Sequence, residues 1–211
     1  MQPSIPLFIV HPKELIRAGL AAMVDGAGFR VVGSMATAAE ALAEMGHSGA
    51  VVALVDTDLP DSDGFSLVRR LTEVAPGVRV VLFSQSGDDI HMARARAVGA
   101  VNCMSKTSSS EELVIALRDA ATDQPPSATA AFGAVAAKMH SPQATGLSAH
   151  LTSRERQVLC HLAYGLANDE IATSLKIGIE TVKTHVHKLL RKMAVRDRTQ
   201  AAVWAVKNGF T

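Results

Sequence analysis

Apolar positions follow two regimes along the chain. Up to residue 121, short apolar runs alternate with stretches in which apolar residues recur every three or four positions. The runs occupy 6–10, 30–33, 51–55, 78–83 and 101–104; the helically spaced stretches occupy 13–25, 37–45, 64–74, 88–98 and 109–121. A run without polar interruption, such as Val51-Val52-Ala53-Leu54-Val55, suits a strand buried on both faces, and the intervening helices supply the cover. Five βα units in series predict an α/β unit built on a five-stranded parallel sheet, doubly wound. Gly26 and Gly28 after the first helix, and Pro76-Gly77 after the third, supply the turns.

Past residue 147 only the helical period remains. A helix is predicted over 152–163, with Thr152 and Glu155 spaced as a capping box and Gly165 as its stop. Asn168 is expected to cap a short helix ending near Leu175. Gly178 marks a turn before a helix over 180–193, and a last helix over 199–208 ends at Gly209. Residues 122–146 fit neither regime. Pro125-Pro126-Ser127, Ser141-Pro142 and Gly146 flank an alanine-rich stretch, which reads as a linker containing one short helix. The predicted division is therefore 1–121, 122–146 and 147–211.

Charge separates the same parts. The chain carries 21 Lys and Arg against 20 Asp and Glu, a formal net of +1. Residues 147–211 hold 10 of those basic residues and 5 of the acidic ones, so the front is acidic and the rear basic. That asymmetry implies a polyanionic partner for the rear alone. The two cysteines, Cys103 and Cys160, stand in different parts of the chain, and two free thiols in a reducing cytoplasm are expected. No apolar run reaches membrane-spanning length, and Met1 to Val10 lacks the basic start and cleavage site of a secretory signal.

The helix over 180–193 has two faces. Val182, His185, Val186, Leu189, Leu190 and Met193 form one stripe at helical spacing. Lys183, Thr184, His187, Lys188 and Arg191 lie opposite, and no acidic residue interrupts Thr181 to Val195. A short helix, a turn and a helix with a basic outer face is the arrangement that enters a DNA major groove. Lys183 and Arg191 suit phosphates or guanine edges; Thr184 and His187 suit base edges or a thymine methyl. The plainer alternative is a solvated basic helix.

The segments Leu151-Thr152-Ser153-Arg154-Glu155-Arg156-Gln157-Val158-Leu159, Gly165 to Ala172, Thr181-Val182-Lys183-Thr184-His185 and Val195 to Ala201 resemble the LuxR-type DNA-binding domain, here an all-α unit of four helices. The resemblance implies sequence-specific binding to double-stranded DNA at a pseudo-palindromic operator, as a homodimer. It gives Asn168 and Thr181 supporting backbone contacts, and makes Val203, Trp204 and Val206 candidates for the dimer surface, with core packing the alternative for Trp204. His187 stands where relatives often carry lysine.

In the front part, Asp56 directly follows the buried run 51–55, Ser84 ends the next run and Lys106 the last. In a parallel sheet all three come to the carboxyl edge, where such sheets bind ligands. A carboxylate with a hydroxyl and an ammonium beside it is the set that accepting a phosphoryl group requires. This set resembles a response-regulator receiver domain of flavodoxin-like fold, and the whole chain resembles the NarL/FixJ group of two-component response regulators. The resemblance implies Asp56 as phosphoacceptor, Ser84 as switch hydroxyl, Lys106 as the phosphate's cation and a histidine kinase or other protein as partner. Two departures stand against it. Where the family has a pair of acids that hold Mg²⁺, this chain has His11 and Pro12; with Asp56 as the remaining carboxylate, Mg²⁺ is not expected to be held well. Glu14 is a weaker substitute, one helical turn late. Cys103 occupies the place of an aromatic switch residue and reads as a buried thiol rather than a redox sensor.

Three readings of the chain follow: an atypical regulator not dependent on Mg²⁺-assisted phosphorylation of Asp56, a conventional one phosphorylated by a kinase, and an interaction module with weak DNA binding. An enzyme is not expected, because the chain has no glycine-rich phosphate loop and no nucleophile elbow.

Overall fold

A computed structural model describes residues 4–122, 130–140 and 151–210. The chain divides into two compact units, residues 1–87 with 98–130 and residues 88–97 with 131–211.

The first unit is built on a single sheet. Its strands are β1 (Ile5–Val10), β2 (Phe29–Met35), β3 (Val52–Asp56), β4 (Arg79–Ser84) and β5 (Asn102–Ser105). They run parallel in the order β2-β1-β3-β4-β5. β3 is buried along its whole length, as the unbroken apolar run 51–55 requires. Strand alternation sends Leu7, Ile9, Val52, Leu54 and Val81 into one core with Leu20 and Val24 of α1 (Glu14–Asp25) and Leu113, Ala116 and Leu117 of α5 (Ser110–Thr122). On the other face α2 (Ala38–Ser48) and α3 (Gly64–Val74) pack together and against the strands. Each fully buried Leu, Ile or Val contributes about 1.5–3 kcal/mol. The chain turns outward in opposite directions from β1 and β3, so the crevice at their carboxyl ends is where a sheet of this order binds ligands.

Helix α4 (Asp89–Ala97) belongs with the second unit, which also holds α6 (Ala130–His140), α7 (Ser153–Ala163), α8 (Asn168–Leu175), α9 (Ile179–Met193) and α10 (Arg198–Lys207). α6 lies inside the segment read as a linker; the flanks of that segment, 123–129 and 141–150, lie outside the described residues. Among the described residues no helix is long and apolar enough to cross a membrane.

Helix ends differ in detail from the sequence expectation. Asn168 does not cap α8: the cap is Ala167, whose N–H donates to Glu170 Oε2 at 2.8 Å, and Asn168 is the first helical residue. The turn into α9 is made not by Gly178, which holds an extended φ of −69° at the N-cap, but by Lys176 at φ 52°. A left-handed lysine costs roughly 1–2 kcal/mol. The turn recovers this with two hydrogen bonds, from Lys176 N and Ile177 N to carbonyls of the preceding turn.

Candidate functional site

The crevice at the ends of β1 and β3 holds three of the residues singled out by the sequence. Val10 pairs with Val55 in the parallel register, so the next residues, His11 and Asp56, come level with one another. His11 Nε2 lies 2.7 Å from Asp56 Oδ2. Lys106, one residue past β5, reaches the same carboxylate: its Nζ is 2.9 Å from Oδ1 and 2.8 Å from Oδ2. Oδ1 also accepts the backbone N–H of Asp58 at 2.7 Å. The His11 approach is oblique, so neither Nε2 nor Oδ2 makes a well-directed hydrogen bond, yet at this separation nothing can come between them. Asp56 is 1% and His11 3% exposed, so these contacts replace water around the carboxylate.

The protonation of His11 follows from its other side. Nδ1 accepts the N–H of Lys13 at 3.1 Å, which leaves the ring proton on Nε2, facing Asp56. Burial lowers the pKa of His11 below its ordinary value of 6.5; Asp56 pulls the other way, and Lys106 and Arg17 reinforce the lowering. The ring is thus a neutral donor at pH 7. Arg17 fixes the loop that carries it: its Nη1 donates to the carbonyls of His11 and Pro12 at 2.7 and 3.1 Å. Arg17 was not singled out by the sequence.

Ser84 ends β4 at the same sheet edge, but its hydroxyl makes no hydrogen bond to this cluster. Its hydroxyl is fully buried without a hydrogen-bond partner among the described residues. Cys103 is buried in β5. Glu14 is exposed in the first turn of α1. The loop acids beyond Asp56 are not merely solvated. Asp61 accepts the N–H groups of Ala38 and Ala39 at 2.9 Å each, and those bonds lower its pKa. Asp63 caps α3 through Ser66 N at 2.7 Å. Gly64 lies so close to this loop that a Cβ there would fall 2.2 Å from Asp56 O.

The residues at Asp56 do not fit a Mg²⁺ ion. Mg²⁺ asks for several hard oxygens at about 2.0–2.1 Å in octahedral array. Here both carboxylate oxygens are already in contact with N–H groups and an ammonium, and among the described residues no group of three His, Cys, Asp or Glu is arranged to hold a metal.

In the second unit, α9 carries the other candidates. Val182 and Leu189 are buried and His185, Val186, Leu190 and Met193 half-buried, while Thr181, Lys183, Thr184, His187, Lys188 and Arg191 are exposed along one face. Lys183 Nζ is 2.6 Å from Glu180 Oε1, a surface contact that a stronger anion can displace. The Thr184 hydroxyl donates to Glu180 O at 2.9 Å, so its proton is used within the helix and its lone pairs remain. Asn168 is half-buried, and its Oδ1 has no partner among the described residues.

Two internal ties hold α9 and α8 against α7. Glu155 Oε2 accepts from Thr152 N at 2.8 Å and Thr152 Oγ1 at 3.0 Å, completing the capping box, and from Lys192 Nζ at 2.7 Å. Burial opposes the charge on Glu155, but the Lys192 and Thr152 hydrogen bonds prevail and lower its pKa. His161, fully buried, donates from Nδ1 to Gln157 O at 2.7 Å and accepts from the Ser174 hydroxyl at 2.8 Å. On α10, Val203 and Val206 are 48% and 51% exposed, and Trp204 is half-buried with its ring 6.0 Å from that of Phe210. Cys160 is inert: burial, only partly offset by Lys138, pushes its thiol up to about 12.

Comparison with known proteins bears on both units. Residues 7–118 match the response regulator receiver domain, and residues 149–205 match the bacterial regulatory proteins of the luxR family. The chain is 30% identical over 206 residues to the transcriptional regulatory protein LiaR of Bacillus subtilis, covering 97% of this chain and 98% of that one. It is 29% identical over 208 residues to the response regulator VraR of Staphylococcus aureus, covering 98% and 99%. Among solved structures, RcsB of Salmonella typhimurium shares the fold at a TM-score of 0.59 and 16% identity over 97% of this chain and 99% of that chain. A structure of RcsB bound to promoter rprA matches at a TM-score of 0.54 and 16% identity, covering 95% and 98%.

Proposed function

Because the chain belongs to the two-component response regulators with a luxR-family C-terminal domain, a family of transcriptional regulators and not of enzymes, we propose that it binds specific double-stranded DNA while its receiver works without Mg²⁺-assisted phosphorylation of Asp56. The observation that carries the second half is the 2.7 Å contact between His11 and Asp56, which puts an imidazole where an incoming cation would need oxygen ligands.

DNA binding rests on the exposed face of α9. Lys183, Lys188 and Arg191 supply charge, Thr184 and His187 approach base edges, and Asn168 and Thr181 meet the phosphate backbone near the helix N-termini. RcsB, which shares the fold, has been solved on promoter DNA. Val203 and Val206 offer an apolar strip for a second copy on a pseudo-palindromic site, with Trp204 at its margin. The receiver would span 1–121 and the DNA-binding domain 147–211, joined by 122–146. Two buried cysteines that form no disulfide suit a reducing cytoplasm.

The conventional reading, phosphotransfer from a histidine kinase to Asp56, draws support from Lys106 Nζ at 2.9 Å from Asp56 Oδ1. Incubation with acetyl phosphate and Mg²⁺ followed by intact-mass measurement separates the two. No adduct is expected; a robust phosphate adduct on Asp56 restores the conventional reading.

A further inference from the structure

The imidazole at Asp56 does more than stand where a carboxylate ligand would be expected. We propose that His11 is a positioning residue that occupies the place a divalent cation would take: its neutral ring, packed 2.7 Å from the Asp56 carboxylate beside Lys106, keeps Mg²⁺ out. The inference rests on the reading that Asp56 is not phosphorylated with Mg²⁺, and it assigns the cause to one side chain.

Space decides first. Neighbouring ligands around a six-coordinate Mg²⁺ stand roughly 2.9 Å apart, from metal–oxygen distances of about 2.0–2.1 Å. His11 Nε2 and Asp56 Oδ2 are 2.7 Å apart, too close for an ion to sit between them. The proton decides next. Nδ1 is committed to the N–H of Lys13, so Nε2 carries the ring hydrogen and has no lone pair to give a metal.

Charge agrees. Lys106 already supplies a positive charge at 2.8 and 2.9 Å, and Asp56 is the one carboxylate buried with it, since Asp58 is 72% exposed at 3.4 Å from Lys106. Two further positive charges would find one carboxylate already neutralised.

The loop is built to keep the ring there. The β1 register brings His11 level with Asp56, its backbone N–H bonds to Met35 O at 3.0 Å, and Arg17 bridges the carbonyls of His11 and Pro12. Those two carbonyls are also the hard oxygens the loop could have turned toward a metal, and the guanidinium occupies both. Replacing the ring by a carboxylate reverses the chemistry: two acids within contact distance repel unless a cation joins them.

The experiment uses the full-length chain as wild type, His11→Gln and His11→Asp, with folding checked by far-UV circular dichroism and Mg²⁺ binding measured by calorimetric titration with magnesium chloride. Wild type and His11→Gln, which keeps a neutral N–H donor at this place, are expected to show no saturable binding. His11→Asp is expected to bind Mg²⁺ at least about tenfold more tightly. If the second buried acid prevents folding, His11→Ser, which opens the space and adds a hydroxyl oxygen, is read the same way. Saturable binding by wild type equal to that of the variants overturns the proposal, as does a folded His11→Asp with no gain. The second result leaves phosphorylation independence standing if wild type takes no phosphate from acetyl phosphate. A phosphate adduct on wild-type Asp56 overturns that reading itself.

Discussion

The tie between Glu155 and Lys192 lends itself to a quantitative test, because one carboxylate oxygen serves two purposes. Glu155 Oε2 closes the capping box of α7 and pairs with Lys192 near the end of α9. Glu155→Ala removes both. Loss of a capping interaction costs about 1 kcal/mol. A hydrogen bond between charged groups contributes about 1.5–3 kcal/mol when shielded, but Lys192 is 42% exposed, which discounts its share to about 1 kcal/mol or less. Together the alanine variant should lose about 2 kcal/mol. Glu155→Gln keeps an oxygen for Thr152 and loses only the charge, so it should lose about half as much. The chain has a single tryptophan, Trp204 in α10, so urea unfolding followed by its fluorescence reports on the second unit. A cycle of Glu155→Gln and Lys192→Met should give a coupling of about 0.5–1 kcal/mol. The pH dependence has a definite sign. The folded pKa of Glu155 lies below its ordinary 4.5, so the carboxylate's contribution is present above that pH and is lost as pH falls through the folded value. The gap between wild type and Glu155→Gln should therefore close in acid. A glutamine variant as unstable as the alanine one, or a gap unchanged in acid, refutes this account.

Two further outcomes follow from other parts of the molecule. Lys183→Ala should weaken operator binding by about 1–3 kcal/mol if Lys183 reads a base, or weaken all sequences equally and reduce the salt slope by about 1 if it meets only phosphate; anisotropy titrations at two salt concentrations distinguish these, and unchanged affinity on every sequence means that this face does not meet DNA. Gly64→Ala would drive a Cβ to 2.2 Å from Asp56 O and 2.8 Å from Thr57 Cα, both backbone atoms that cannot swing aside; it should destabilise the chain by about 1–3 kcal/mol in urea unfolding followed by circular dichroism, and wild-type stability would refute the close packing of this loop.

The five strands were legible because each contains a short apolar run, unbroken in the fully buried β3, and the helices because their apolar residues recur at helical spacing. What escaped the sequence depended on geometry between distant residues. His11 reads as a missing acid; that it is instead a partner of Asp56 follows from the register of Val10 with Val55, a step the sequence permits once β1 and β3 are taken as neighbours. The bond from Lys13 N that fixes its proton has no sequence signal. Asp61 carries no signal in the sequence; its role appears only when the fold brings the start of α2 to it across 23 residues. The turn before α9 was misplaced because glycine is the natural left-handed residue, whereas here Lys176 holds that conformation within a hydrogen-bonded helix end. Ser84 ends β4 as the sequence suggests, and its hydroxyl makes no hydrogen bond to the Asp56 cluster.

The alignment of β1 with β3 also bears on how the sheet assembles. Slipping β1 by one residue would set either Val10 or Pro12 beside Asp56, and neither side chain offers a proton. The slip would also turn Leu7 and Ile9 out of their core. Asp56 would keep Lys106 and the Asp58 N–H but lose the imidazole that covers Oδ2, so the penalty of a slip falls mainly on the misplaced apolar side chains. The same alternation that buries Leu7 and Ile9 thereby brings His11 level with Asp56, so the apolar pattern of β1 and the chemistry of the crevice are set by one register.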